Sequence, residues 1–304
     1  GYAALHSNTG VAGQVAVGAE ALALNQSGGE NTAVGYQSLM TQISDGHMNT
    51  AVGYKAGRLN LNGQSITAIG FKALEANTSG NGNTAVGQQA LVANTTASNN
   101  TAVGMSAMLG TTTGINNVAM GKNAMLDNTT GLDNVAIGYE ALHTNTTGAS
   151  NTAVGLFALH YATTANDNTG IGRNALRNVT TGHSNTAIGS YTGDNITTGD
   201  SNIIIGKGID ATSATADNQL NIGGWIRKDS STHPDGNGIG IVGSGGFQVF
   251  QVNAGNMTLA DDAVYSMASL CNTGAMIAVG SRHQGNTSVT YAHGLFMLSY
   301  AQNT

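Results

Sequence analysis

Apolar and polar positions in this chain fall into a five-residue block that returns at a fixed interval. The block reads Asn-Thr-Ala-Val-Gly at 31–35, 49–53, 83–87, 100–104 and 151–155. Looser copies stand between and after these: Ile66-Thr-Ala-Ile-Gly70, Asn117-Val-Ala-Met-Gly121, Asn134-Val-Ala-Ile-Gly138, Asn168-Thr-Gly-Ile-Gly172, Asn185-Thr-Ala-Ile-Gly189 and Asn202-Ile-Ile-Ile-Gly206. From Gly18 to Gly223 the closing glycines are 17 residues apart, except for one step of 18 from Gly35 to Gly53. Gly1-Tyr-Ala-Ala-Leu5 matches Gly35-Tyr-Gln-Ser-Leu39, so the chain opens in mid-repeat and reads as a piece of something longer. A period this strict predicts a stacked repeat architecture.

Positions are counted from the closing glycine as zero. The short β-branched run at −3 to −1 predicts a strand, whose side chains alternate between two faces. Position −1 is Val, Ile or Met and −3 accepts Thr, Val, Ile or Leu. These two are expected to face the interior, with the near-invariant Ala at −2 pointing outward. Outward alanine rows would invite close approach by another chain. Position +1 is often Tyr or Phe, +3 is small and +4 is Leu or Met. Asn-Thr-Thr-Gly at +7 to +10 has turn chemistry, and stacked Asn at −4 can form side-chain ladders.

The expected fold is all-β: a parallel β-solenoid with one coil per repeat. Coils about 4.8 Å apart would give a rod on the order of 60 Å long. Each coil has a contour of roughly 56 Å, enough for two or three short strands. The competing geometry, with a helical turn over +1 to +6, belongs to repeats of about 20–29 residues. So narrow a tube buries little surface alone, which predicts a homotrimer of parallel tubes.

Asn-Thr-Ala-Val-Gly-Tyr-x-Ala-Leu with trailing Asn-Thr-Thr-Gly resembles the repeats of bacteriophage tail-fibre proteins, including those of marine cyanobacterial viruses. It is also similar to the Val-Ala-Ile-Gly head repeats of trimeric autotransporter adhesins. The resemblance covers about residues 1–223, and Asp217-Asn-Gln-Leu-Asn-Ile-Gly-Gly-Trp225 also looks like a phage-fibre segment. Those adhesin heads are trimers of left-handed parallel β-rolls, and the phage resemblance implies a trimeric fibre located extracellularly on a virion, with other tail proteins as partners.

The chain divides into a solenoid shaft with a terminal capping coil (1–227), a polar linker holding the one proline, Pro234 (228–238), and a C-terminal β-sandwich knob (239–304). Strands are predicted in the knob at Ile239–Val242, Phe247–Val252, Asp262–Ala268, Ala275–Val279, Ser288–Ala292 and Leu295–Tyr300. Trp225 is expected to cover the open end of the core or to bind a sugar face. Met105, Met108, Met120 and Met125 stand at core-like registers.

Composition narrows the function. Charged residues are 9% and the net charge is −6, with no basic stripe, so nucleic acid is not an expected partner. The single cysteine, Cys271, excludes an intramolecular disulfide framework. No catalytic, cofactor or metal site is expected. Asp133 and Asp167 share position −5 two coils apart, and the eight histidines form no metal-ligand pair. Asn-x-Thr sequons such as Asn94-Thr-Thr96 arise from the repeat itself.

The expected function is a non-enzymatic tail fibre whose tip binds a host cell-surface glycan or outer-membrane component. Aromatic and polar groups of the kind that line sugar sites are Trp225, Tyr265, Arg282, His283, Tyr291, His293 and Tyr300. Three linked weak sites would gain avidity. The alternatives are a bacterial trimeric surface adhesin, an ice-binding β-solenoid with ladders of Thr, and a glycan-degrading tailspike.

Overall fold

The computed structural model describes residues 1–42, 46–224, 226–228, 240–242 and 248–249. Among these there is no helix. The chain forms a parallel β-solenoid of about twelve turns, with one three-residue strand per turn. Thirteen strands stack in sequence order, from β1 (Val15–Val17) and β2 (Thr32–Val34) to β12 (Ile203–Ile205) and β13 (Leu220–Ile222). Every neighbouring pair is in register by repeat position, as in Thr101↔Val118, Ala102↔Ala119 and Val103↔Met120 of β6 (Thr101–Val103) and β7 (Val118–Met120). At about 4.8 Å per strand this stack is roughly 58 Å long.

The strand faces are the reverse of the sequence expectation. From β2 onward alanine at −2 is fully buried, as in Ala33, Ala51, Ala68, Ala85 and Ala102, while −3 and −1 lie outward. The reason is the narrow bore. Leu or Met at +4 crosses from the opposite wall and fills it (Leu39, Leu74, Leu91, Met108, Met125, Leu142, Leu159). Facing that side chain, the strand has room only for a methyl group: even a Cβ placed on Gly170 would lie 3.3 Å from Leu159. The methionine patch divides on the same principle. Met108 and Met125 at +4 are buried, whereas Met105 and Met120 are exposed.

The rest of each coil is not regular strand, although hydrogen bonds link neighbouring coils on every side. Around the coil after Gly104, Gly104 N donates to Val86 O at 2.8 Å, Met108 N to Ala124 O at 3.0 Å and Thr112 N to Thr129 O at 3.1 Å. The corners use left-handed backbone at +2, +4 and −5, here Ser106 (φ 57°), Met108 (φ 51°) and Asn116 (φ 59°). Each such residue costs about 1–2 kcal/mol, and only the stacked neighbours hold it there.

Two asparagine ladders run inside the tube, the one at −4 as expected. Asn117 N donates to Asn100 Oδ1 at 2.8 Å, and Asn134 N donates to Asn117 Oδ1 at 3.0 Å. Each of these asparagines also donates from Nδ2 to a turn carbonyl one coil on, as from Asn117 to Gly131 O at 2.9 Å. At +7 the amides bond to one another, with Asn77 to Asn60 at 2.7 Å and Asn94 to Asn77 at 2.6 Å. These asparagines are wholly buried, so each ladder provides partners for polar groups that have no water. Further along, the +7 column becomes Ala162, Val179 and Ile196, and that end of the bore is apolar.

After β13 the sheet continues antiparallel through β14 (Ile226–Lys228), β15 (Gly240–Val242) and β16 (Gln248–Val249). β15 and β16 fall within the first two predicted knob strands, whose remaining residues lie outside the described residues. The other four, together with Pro234 and Cys271, lie outside the described residues.

Candidate functional site

All seven expected receptor-binding residues, Trp225, Tyr265, Arg282, His283, Tyr291, His293 and Tyr300, lie outside the described residues. The candidate surfaces therefore belong to the shaft.

The largest is the outer face of the strands. Its −1 row runs Val17, Val34, Val52, Ile69, Val86, Val103, Met120, Ile137, Val154, Ile171, Ile188, Ile205, Ile222, aliphatic or Met at every strand. Its −3 row is Thr, with Val15, Val118, Val135, Ile203 and Leu220 in its place at five strands. Ile69, Met120, Ile137, Ile171, Ile188 and Ile203 are each exposed by about two-fifths. The −1 row alone, about half a strand's width over roughly 58 Å, covers about 300 Å², within the range of the largest apolar patch on an ordinary monomer. The aromatic column at +1 widens it. Tyr36, Tyr54 and Phe71 stack at 5.5 and 5.2 Å with interplanar angles of 18° and 8°. Each ring covers its neighbour's face, so this column presents ring edges and is a poor platform for a sugar.

A second cluster lies at +2, +5 and +6, where consecutive coils bring titratable groups together. Glu140 accepts from Asn123 at 3.4 Å and pairs with His160 Nε2 at 3.1 Å. His160 stacks on His143 at 5.0 Å, and His143 Nδ1 lies 3.9 Å from Asp127. The Arg177 guanidinium stands over both Phe157 (5.4 Å) and Tyr161 (5.6 Å). Burial holds the His160 imidazole below its ordinary range, with help from His143 and Arg177 and against the pull of Glu140. Burial pushes the Glu140 carboxyl up, but hydrogen bonds from Tyr139, His160 and Asn123 outweigh it and set the group low. The hydrogen bond to Glu140 raises the Tyr139 phenol. Asp194, further along the +5 column, is raised by burial and by the neighbouring Asp210. Each aromatic face in the cluster that a cation covers is closed to a ligand, and Glu140 pairs with His160, while His143 Nδ1, His160 Nδ1 and Arg177 Nε are buried without a hydrogen-bond partner, so the cluster is a partly paired polar seam between coils. The sequence signal for it was available, since His143 and His160 are one 17-residue repeat apart.

A third column at −6 joins side chains to the previous coil's backbone. Ala149 N donates to Asn166 Oδ1 at 2.7 Å, Asn166 N to His183 Nδ1 at 3.0 Å and His183 N to Asp200 Oδ1 at 2.6 Å. His183 accepts through Nδ1, which places its proton on Nε2. Asp133 is exposed and accepts from Asn116 at 3.0 Å, while Asp167, two coils on, is also exposed. Asn94 of the Asn94-Thr-Thr96 sequon is wholly buried, closed to a modifying enzyme once the coil has formed. The +8 threonines donate to the next coil's carbonyl, as Thr129 does to Thr146 O at 2.9 Å, whereas the +9 threonines point to solvent. Among the described residues, no group of three or more His, Cys, Asp or Glu side chains could hold a metal ion.

Comparison with protein-family models, with curated proteins and with solved structures finds no match to this chain.

Proposed function

We propose that this chain is the shaft and distal tip of a bacteriophage tail fibre. Three copies assemble along the outer strand face, and the C-terminal segment binds the host surface. The observation that carries this reading is the uninterrupted aliphatic −1 row, outward and in register over thirteen strands. An exposed apolar strip of that length needs a cover, and an identical strip on another copy matches it rung for rung. The repeat resemblance supplies the biological setting, an extracellular virion fibre. The work is mechanical: the shaft gives reach, and three tips sharing one axis give avidity.

Labelled full chain incubated with bacterial cells tests the attachment role. Binding that falls when Tyr265, Arg282 and Tyr291 are replaced by alanine, with the assembled mass unchanged, supports it. Absence of binding to any cell or surface glycan would sink it.

One observation favours a second reading. Thr32, Thr50, Thr67, Thr84 and Thr101 face outward at −3, and a second threonine row stands at +9, as an ice-binding solenoid requires. The loss of the −3 row at Val118, Val135, Ile203 and Leu220 points instead to protein contact. Ice-recrystallisation inhibition separates the two, and the fibre reading expects none.

A further inference from the structure

The outer strand face has two flanks, and their charges have opposite sign. The flank before each strand, at −6 and −5, carries Glu30, Asp133, Asp167, Asp200 and Asp217 and no lysine or arginine. The flank after it, at +1, carries Lys122, Arg173 and Lys207 and no acid. All are exposed except Asp200, which is half-buried. One residue further, at +2, the acids are held within their own chain: Glu20 accepts from Gln37, and Glu140 pairs with His160. Six residues of corner and strand put up to about 20 Å between Asp167 and Arg173, well beyond the ~8 Å over which exposed charges act at physiological salt. Among the described residues none of the eight flank charges takes part in an ion pair. Lys122 and Arg173 lie over the Tyr139 and Tyr191 rings, and Asp200 and Asp217 accept from backbone N–H groups, so these charges are positioned without being neutralised.

The two flanks also agree in height. Asp167 and Arg173 bracket the same strand, β10 (Thr169–Ile171), and Asp200 and Lys207 bracket β12. Lys122 follows β7, and Asp133 precedes β8 (Val135–Ile137), one rung on. Glu30 alone has no base within a rung. Where −6 turns aliphatic, at Ile115 and Leu132, the +1 flank offers Met105 and Tyr139 within a rung, all four exposed by about two-fifths.

We propose that neighbouring copies meet flank to flank, the acidic side of one strand face against the basic side of the next, with the tubes parallel. This inference rests on the reading of the strand face as the contact between copies. A second copy is the occupant that fits, because one chain carries both halves of the match. With two faces together and the tubes parallel, −5 of one lies beside +1 of the other. With the tubes antiparallel, −5 lies beside −5 and acid meets acid. A head-to-tail contact of this kind is one that can close identical copies into a ring.

A charge swap in the full chain tests the pairing, with light scattering as the readout. Asp167→Arg and Arg173→Asp should each weaken association. An exposed ion pair is worth up to about fivefold, so losing it at each of three contacts weakens the ring by up to about a hundredfold. A chain carrying both changes should recover the parent's association. Unchanged association in the single variants, or no recovery in the double, overturns the inference and leaves the strand-face reading intact while the parent still assembles. A parent that runs as a single chain overturns both. Cysteines at the same exposed positions, on a Cys271→Ser background, give a readout that does not depend on charge. A short thiol crosslinker should join chains that carry both Asp167→Cys and Arg173→Cys, and neither change alone should suffice. Crosslinking through Asp167→Cys alone would mean antiparallel tubes, and that result, or no crosslinking with both, would also overturn the inference.

Discussion

Replacing Asn117 by alanine removes one rung of the −4 ladder at mid-shaft. Three hydrogen bonds go with the amide: Oδ1 from Asn134 N (3.0 Å), Oδ1 from Asn134 Nδ2 (3.2 Å) and Nδ2 to Gly131 O (2.9 Å). Two of the stranded groups keep a partner. Gly131 O still accepts from Asn128 at 3.1 Å, and Asn134 Nδ2 still donates to Gly148 O at 2.8 Å. The Asn134 N–H keeps none and has no water to turn to. One orphaned buried donor costs about 1–3 kcal/mol and each replaceable bond about 1 kcal/mol, so the loss is about 3–5 kcal/mol per chain. Urea unfolding followed by far-ultraviolet circular dichroism measures it. Coils interact only with their neighbours, so the loss is local. The transition should move to lower urea or split in two as the array parts at the seventh strand. Thr113→Ala, at an outward +9 hydroxyl, is the control and should stay within about 0.5 kcal/mol of the parent. If Asn117→Ala unfolds within about 1 kcal/mol of the parent, the ladder does not hold the coils and this reasoning fails.

Other perturbations follow from the same geometry. Gly104→Ala would put a Cβ 2.5 Å from Gly121 O at a φ of +135°. The backbone strain alone costs up to about 3 kcal/mol, so the variant should melt well below Ala107→Gly, and equal melting points would refute the close stacking. Acidification should weaken the shaft. His160 titrates below the unfolded chain's ~6.5, so its contribution is complete above that pH and declines as pH falls below it; a His160→Gln variant should show a shallower loss between pH 7.5 and 5.5. Glu140, held low, acts in the same direction at lower pH, its contribution present above the unfolded carboxyl value and lost as pH falls through the folded one. Asp194 has the opposite sign because its carboxyl is raised, so Asp194→Asn should stabilise the chain at pH 7, and a destabilised variant would contradict the Asp194–Asp210 repulsion.

Much of the architecture was legible before the structure. The 17-residue ruler gives the coil, the β-branched run gives the strand, and asparagine at −4 gives the ladder. The sidedness of the strand was not. In Thr-Ala-Val the aliphatic residue looks like the core residue, and burial usually follows size. Here the opposite wall decides. Leu91 and its equivalents at +4 already fill the bore, and the strand's single inward position shrinks to alanine. A three-residue strand that offers one inward side chain carries too little pattern to reveal this. The left-handed corners were hidden for a related reason. Gln89, Lys72 and Leu91 are not residues that signal positive φ, yet Gly57, Gly193 and Gly208 stand at the same repeat positions and mark where the constraint lies. Correcting the sidedness moves the proposed contact between copies from the alanine rows to the valine and isoleucine row. In the polar seam the one-repeat spacing of His143 and His160 was legible, but the Glu140–His160 pair, 20 residues apart and joined across neighbouring coils, needed the coil geometry.

The most direct test of the central claim is the mass of the full chain in solution, measured by light scattering beside an Ile137→Glu variant of the outer strand row. A fibre shaft assembled along that row predicts a complex of three times 30.6 kDa for the parent and a smaller species for the variant. A parent that runs as a single 30.6 kDa chain would contradict it, leaving the aliphatic row uncovered and the shaft without its partners.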